Sequence, residues 1–164
     1  MSVVLDILRT YRTPRSVQVR RMTGPRREGA LLAMALAACG LIFVAQLPRL
    51  ARESWLEPAV GLDARLAGAF FGWMVAMPLV LYAIALLVHI ALRLVRWPAT
   101  GHACRAALFW ALLASTPAWL LSGIAAGLAP GLPFEAVSLV ALVLFLAFLW
   151  AGMLAMKQAQ VEAA

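Results

Sequence analysis

Few side chains in this sequence have the types and spacing that catalysis or metal binding requires. His89 is the one candidate within a long apolar stretch, and it precedes Arg93 by about one helical turn. We interpret it as an interfacial histidine that hydrogen-bonds a carbonyl or a lipid phosphate. His102 and Cys104 in "TGHACR" form an incomplete metal site, and a Cys–His nucleophile pair there would need independent support. We therefore expect no catalytic residue, no metal and no cofactor.

Motif patterns and transport signals give little support to an enzyme or a carrier. HExxH, GxSxG and P-loop patterns are absent, and no carboxylate lies inside an apolar stretch away from its ends. A polar broken helix is best matched by "ASTPAWLL", where Pro117 frees a backbone carbonyl and Ser115 and Thr116 add hydroxyls. A proline kink stabilised by those two hydroxyls accounts for the same residues without a ligand, and we favour it.

The composition indicates a membrane protein. Hydrophobic residues make up 65% of the chain and charged residues 13%, against about 45–50% and about 25% in soluble domains. A spanning helix needs about 20 apolar residues. Four stretches meet that length: residues 29–47, 66–92, 103–128 and 134–156. The sequence predicts an all-α polytopic membrane protein, a four-helix transmembrane bundle with an N-terminal interfacial amphipathic helix.

This layout gives three segments: a cytoplasmic basic arm (1–28), a membrane domain (29–156) and a cytoplasmic tail (157–164). The arm begins with apolar residues on one helical face and charged residues on the other; the apolar set is Val3, Val4, Ile7, Leu8 and Tyr11, and the charged set is Asp6, Arg9 and Arg12. Such a helix is expected to lie in the membrane interface. We expect Pro78 and Pro117 to kink their helices without ending them.

The distribution of basic residues predicts the orientation. Eleven of the fourteen fall on one side of the four stretches: Arg9, Arg12, Arg15, Arg20, Arg21, Arg26, Arg27, Arg93, Arg96, Arg105 and Lys157. Only Arg49, Arg52 and Arg65 fall on the other. Cytoplasmic loops are enriched in Lys and Arg, so both termini are predicted to be cytoplasmic, in a bacterial inner membrane.

The basic arm is the one candidate binding segment. It carries Arg12, Arg15, Arg20, Arg21, Arg26 and Arg27 directly before the first apolar stretch. We expect these arginines to orient the chain and to bind anionic lipids of the cytoplasmic leaflet. A nucleic-acid role is disfavoured, because the arm lies against the membrane and its one aromatic residue is Tyr11.

Small residues recur at four-residue spacing, which lets helices approach closely in a bilayer. The third stretch has Ala103, Ala107, Ala111 and Ser115, then Gly123 and Gly127. The second has Gly68 and Gly72, and the fourth Ala147, Ala151 and Ala155. Most tryptophans fall near predicted ends, as in an aromatic belt; these are Trp73, Trp97, Trp110, Trp119 and Trp150. "LAAC", residues 36–39, matches a lipobox, but the apolar run continues past Cys39, so we expect no cleavage there.

Three segments together resemble the Yip-domain family of Rab-interacting-type multispan proteins. They are "TYRTPRSVQVRRM", "GAFFGWMVAMPLVLYAIALLVHIALRL" and "RAALFWALLASTPAWLLSGI", within a similarity that spans roughly residues 5 to 155. Family members often have five spans, and their Asp-Leu-Tyr-Gly-Pro motif is absent here. The resemblance implies a non-enzymatic integral membrane protein, without Rab binding and without transferable site residues.

The sequence thus favours a non-enzymatic scaffold or membrane-organising factor. A small permease or channel-like subunit that uses the second and third stretches is the alternative, followed by an accessory subunit of a larger membrane complex. Whether the partner is another membrane protein or a second copy of the chain is left open.

Overall fold

The computed structural model describes residues 3–23, 28–97 and 99–161, and every regular element among them is helical. Six helices follow in order: α1 (Val3–Thr10), α2 (Pro14–Thr23), α3 (Glu28–Leu56), α4 (Leu62–Leu94), α5 (Gly101–Leu128) and α6 (Leu132–Val161). The last four are long and apolar enough to cross a membrane. The predicted all-helical class with four membrane-length helices is confirmed.

Helix α5 forms the centre of the bundle. It contacts each of the other five helices. The most apolar 18-residue segment of α5 is 72% buried. The corresponding segments of α3, α4 and α6 are only 17–33% buried, and these helices have exposed leucines. Phe109 and Trp110 of α5 are fully buried in the core. The outward apolar surfaces of the other helices suit a lipid environment. Lipid tails are as apolar as these side chains, so no hydrophobic free energy is gained by burying them in the protein.

Pro48, like Pro78 and Pro117, lies inside a helix that continues past it. We expected the first apolar helix to end at Leu47, but α3 continues through Pro48 to Leu56. Past Pro48, the ion pair between Arg49 and Glu53 at 2.6 Å has the i,i+4 spacing that stabilises a helix. The segment predicted to be a loop is therefore partly an extension of α3.

A wide turn accommodates Pro78 in α4. Residues Gly72–Ala76 form a π-helical turn, which ends as the Met77 N–H donates to the Gly72 carbonyl. Proline has no N–H to donate, and an i→i+5 turn just before it rearranges the hydrogen bonds that a regular helix would need there. As predicted, the proline does not end the helix.

The two glycines of the small-residue stripe of α5 lie where α5 closely approaches α3. A Cβ at Gly123 would fall inside the van der Waals radius of the Ala45 carbonyl, and one at Gly127 would lie 2.5 Å from Pro48 Cβ. By contrast, a Cβ at Gly68 or Gly72 would meet nothing within 4 Å. The predicted packing role is thus found in α5 but not at the glycine pair of α4, which faces open space.

The stripe of α6 is shifted from its predicted position. Ala151 and Ala155 are buried as expected, but Ala147 is exposed. Gly152, which the prediction left out, lies at the contact with α5: a Cβ there would lie 2.8 Å from Ala107 Cβ. The 3.6-residue period explains the change, because a strict spacing of four drifts around the helix.

The two ends of the described chain meet at one end of the bundle. Met22 of α2 packs against a buried cluster formed by Cys104 and Ala107, near the start of α5, and Met156, near the end of α6. This arrangement agrees with an even number of membrane crossings. At the opposite end, Gly131 (φ +102°) forms the tight connection between α5 and α6, a conformation that glycine adopts without strain.

Candidate functional site

The basic arm folds as a helical hairpin against the bundle. Helices α1 and α2 are joined at Tyr11–Thr13, where the N–H groups of Arg12 and Thr13 donate to the Arg9 carbonyl at 3.0 and 2.8 Å. Pro14 opens α2, a position where its fixed φ and missing N–H are tolerated. The hairpin packs on α5 and α6. The sequence predicted the amphipathic helix α1 but not this docking.

Asp6 is the centre of the hairpin. Its carboxylate is buried and accepts hydrogen bonds from Arg20 Nη2 at 2.6 Å and from Arg21 Nη2 at 2.9 Å. The sequence pattern placed Asp6 on the same charged face as Arg9 and Arg12. The structure separates them, because Asp6 turns toward α2 while both arginines stay exposed. The ion pairs thereby fix α1 to α2.

Trp110 of α5 connects this ion pair to the bundle. The Arg21 guanidinium carbon lies 3.5 Å from the centre of the Trp110 ring, in a cation–π geometry. The indole Nε1–H donates to Thr10 Oγ1 at 3.1 Å, and the Thr10 hydroxyl donates to the Asp6 carbonyl at 2.7 Å. Asp6, Thr10, Arg20, Arg21 and Trp110 are called the arm network below.

The arm network corrects two predictions from the sequence. Trp110 was expected near a helix end in an aromatic belt, but it is fully buried. The protein tolerates this burial because the indole N–H has a hydrogen-bond partner, Thr10, inside the protein. Arg21 was expected to face lipid, yet its side chain is only 22% exposed. Burial lowers the pKa of the Arg21 guanidinium, and the adjacent Asp6 carboxylate opposes that effect.

Gln18 joins α2 to α6. Its side chain is 1% exposed and its Nε2 donates to the Phe148 carbonyl at 2.8 Å. The missing side chain of Gly152 makes room for it, because a Cβ there would lie 2.8 Å from Gln18 Oε1. Both residues were missed by the sequence analysis. The available signal was a single glutamine in a basic segment and a single glycine in the fourth apolar stretch.

Tyr11 shows how far the hairpin extends along the bundle. Its hydroxyl donates to the Ala114 carbonyl at 3.2 Å, and its ring packs edge-on against Phe148 with centroids 5.2 Å apart. At 1.5 Å per residue, Ala114 lies roughly 20 Å along α5 from Gly101. Burial raises the pKa of the Tyr11 phenol, which keeps the donating proton in place. The hairpin therefore lies along the side of the bundle and does not merely cover its end.

The other predicted arginines of the arm differ in their exposure and in their partners. Arg12 and Arg15 are exposed beside the turn of the hairpin, while Arg20 pairs with Asp6 and remains 44% exposed. Arg26 and Arg27 lie outside the described residues. Lipid binding by the arm therefore stays a prediction, carried in the described part by Arg12, Arg15 and the exposed portion of Arg20.

The residues of the candidate kink hydrogen-bond within their own helix. Thr116 Oγ1 donates at 2.7 Å to the Leu113 carbonyl, the group that Pro117 leaves without a helical N–H. Ser115 Oγ donates to the Leu112 carbonyl at 2.9 Å. Both hydroxyls are buried, so in this conformation neither offers its proton to a solute.

The histidines and cysteine near the start of α5 pair differently from their order in the sequence. Cys104 Sγ lies 3.9 Å from Nδ1 of His89, not beside His102. His102 Nδ1 instead lies 3.3 Å from the Glu28 carboxylate, which also accepts from Arg105 Nη2 at 2.7 Å. Within the described residues, no three His, Cys, Asp or Glu side chains form a group that could hold a metal ion.

Several cavities have polar side chains in their walls, among them one of about 340 Å³ formed by Glu53, Leu56, Glu57 and Arg65 and two smaller ones. One, of about 110 Å³, opens between α4 and α5 and is called the α4–α5 groove; it is lined by Tyr82, Ala85, Leu86, His89, Gly101 and Arg105. The other, of about 70 Å³, lies near the opposite end and includes Arg49, Trp119 and Ser138. At about 30 Å³ per water molecule, the smaller cavity has room for two waters.

Comparison of the chain with protein-family models, with curated proteins and with solved structures gives no match.

Proposed function

We propose that this chain is a non-enzymatic bacterial inner-membrane protein similar to the Yip-domain family, acting as a scaffold or membrane-organising factor. The observation that carries the proposal is the docked hairpin. Buried polar contacts of Gln18 and Trp110 hold it along the side of α5 and α6, and the Asp6 ion pairs hold its two helices together. It presents the exposed Arg12 and Arg15 beside helices of membrane length. This constitutes a fixed basic surface next to the bilayer.

A fixed basic surface favours organisation of lipids or partners over solute transport. Arginines held against a membrane-length bundle attract phosphate groups and thin the bilayer locally. In the proposed orientation the hairpin lies in the cytoplasmic half of the bundle, and the long arginine side chains beside its turn extend toward the anionic head groups of that leaflet. The contrast between the two ends supports it: Arg65 pairs with Glu53 and Glu57 at the opposite end, so its charge is balanced within the protein.

The packing of α5 supports a scaffold over the permease alternative. A permease formed by α4 and α5 would need a path lined by their facing side chains. The structure fills that region with buried Phe109 and the edge of Tyr82, whose rings pack with centroids 4.9 Å apart. Ser115 and Thr116 hydrogen-bond carbonyls of their own helix.

In-cell photocross-linking tests the scaffold role. A photoreactive amino acid at Arg15 is expected to capture one discrete membrane protein, or a second copy of the chain, in stoichiometric yield. The same group at Arg52, exposed at the opposite end, is the control and is expected to give no such adduct. Adding Asp6→Asn to the Arg15 variant is expected to reduce the yield, because the hairpin then undocks. Equal adducts at both positions would contradict the proposal.

Two further measurements test the orientation and the alternative. Alkaline phosphatase fusions at residues 58 and 131 are expected to be active, and fusions at residues 100 and 160 inactive. Activity at residue 160 would refute the even-span topology. Solute uptake by liposomes that changes on Ser115→Ala or Thr116→Ala would favour the permease.

A further inference from the structure

We propose that the α4–α5 groove binds the phosphate head group of one anionic phospholipid. The groove lies where α5 begins, at the end of the bundle that carries both described termini. Its polar wall is His89 and Arg105, and its apolar wall is Ala85 and Leu86. This site goes beyond the proposed scaffold role, because its lining comes from α4 and α5 and includes none of the arginines of the arm.

Arg105 supplies the charge. Its Nη2 donates to Glu28 at 2.7 Å, but its Nε is buried and has no hydrogen-bond partner among the described residues. The side chain as a whole is 31% exposed and lines the groove, so the exposed part of the guanidinium donates to an anionic oxygen placed there. Glu28 is exposed at the outer side of this pair, so it holds the guanidinium in place without covering the groove.

His89 supplies a second polar contact. Its Nδ1 faces Cys104 Sγ at 3.9 Å, and the Nε2 edge lies over Gly101, within 3.9 Å of where a Cβ would be. The first residue of α5 thus forms one wall of the groove next to the imidazole. The start of a long helix adds partial positive charge at that wall, where Thr100 Oγ1 accepts from the Ala103 N–H at 3.2 Å. The imidazole, the guanidinium and the start of the helix all favour an anion.

The apolar part of the groove identifies the source of the phosphate as a lipid. Leu86 lines the groove and is exposed on the outer surface of α4, where Leu79 and Leu87 are also exposed. A phosphate at His89 and Arg105 would therefore place an acyl chain along this apolar surface of a membrane-length helix. Basic pockets between membrane helices recognise anionic head groups in this way. A free phosphate would leave the apolar wall without a partner.

Native mass spectrometry of the purified protein, reconstituted in an equimolar mixture of phosphatidylglycerol and phosphatidylcholine, tests the site. The wild type is expected to retain one phosphatidylglycerol per chain in preference to phosphatidylcholine. Arg105→Gln is expected to lower that retention by about tenfold, the loss of one charge-assisted hydrogen bond. His89→Gln is expected to lower it as well. Arg93→Gln removes the same charge from an exposed position of α4 outside the groove, and is expected to change retention less than about twofold.

Leu86→Trp keeps the test decisive if Arg105→Gln disturbs folding. Leu86 is exposed, so a larger side chain is tolerated by the core but narrows the groove, and lipid retention is expected to fall. Equal retention of both lipids would overturn the proposal, as would an equal loss from Arg93→Gln and Arg105→Gln. Full displacement of phosphatidylglycerol by inorganic phosphate would also overturn it, because the ligand would then be a free anion. Arm variants such as Arg15→Gln are expected to leave retention at the groove unchanged, which separates this site from the proposed function.

Discussion

Asp6→Asn is expected to weaken the arm network, which fixes α1 to α2 and both helices to Trp110, and so to loosen the docking of the hairpin without unfolding the bundle. The carboxylate bonds Arg20 at 2.6 Å and Arg21 at 2.9 Å, and its side chain is 7% exposed. The Arg20 side chain is 44% exposed, so its ion pair with Asp6 contributes at most about 1 kcal/mol to the docking free energy. The more buried Arg21 contact contributes about 1.5–3 kcal/mol. Asparagine keeps one acceptor oxygen, so the net loss of docking free energy is about 2 kcal/mol.

Hydrogen exchange of the α2 amides measures this loss. A change of 2 kcal/mol corresponds to about a 30-fold larger undocked population, and hence to about 30-fold faster exchange for residues 15–23. Exchange in the core of α5 is expected to change far less. Asp63→Asn is the matched control, since it removes the same charge from an exposed position at the start of α4.

A double-mutant cycle tests the assignment to the ion pair. If Asp6 acts through Arg21, Asp6→Asn and Arg21→Gln together are expected to cost less than the sum of the two single changes. Additive effects, or exchange in α2 that Asp6→Asn leaves unchanged, would refute the view that this pair holds the hairpin in place.

Two other changes test the packing around α5. Trp110→Phe keeps a ring beneath Arg21 but removes the hydrogen bond to Thr10, so exchange in α2 is expected to rise by about fivefold, for a loss of about 1 kcal/mol. Wild-type rates in this variant would mean that the indole N–H contributes nothing to docking. Gly123→Ala forces α5 away from the Ala45 carbonyl and is expected to destabilise the protein by about 3 kcal/mol in thermal unfolding, whereas Gly68→Ala, in open space, is expected to be neutral or slightly stabilising. Equal effects of the two alanines would show that close approach at Gly123 is unimportant.

The sequence by itself determined the elements that depend on local composition. Runs of apolar residues long enough to span a bilayer predict membrane helices because the backbone must satisfy its hydrogen bonds internally in lipid. The four long helices, the amphipathic α1 and the continuation of α4 and α5 past Pro78 and Pro117 follow from this. The extension of α3 past Pro48 was missed, because the charged residues after it look like a loop when they are read without their i,i+4 pairing.

Only the tertiary structure decided which polar groups find partners. Asp6, Gln18 and Trp110 look like ordinary polar or interfacial residues in the sequence, since their partners lie far away along the chain: Arg21 on α2, Phe148 on α6 and Thr10 on α1. Likewise, neighbours in sequence did not become neighbours in space, because Cys104 approaches His89 and not His102. Hydropathy reports the cost of exposing a side chain to lipid or water, whereas a hydrogen bond depends on two groups meeting within about 3 Å. The helix packing that brings those groups together is set by close contacts such as Gly123 with Ala45, which no local pattern in this alanine-rich chain distinguishes from the open Gly68.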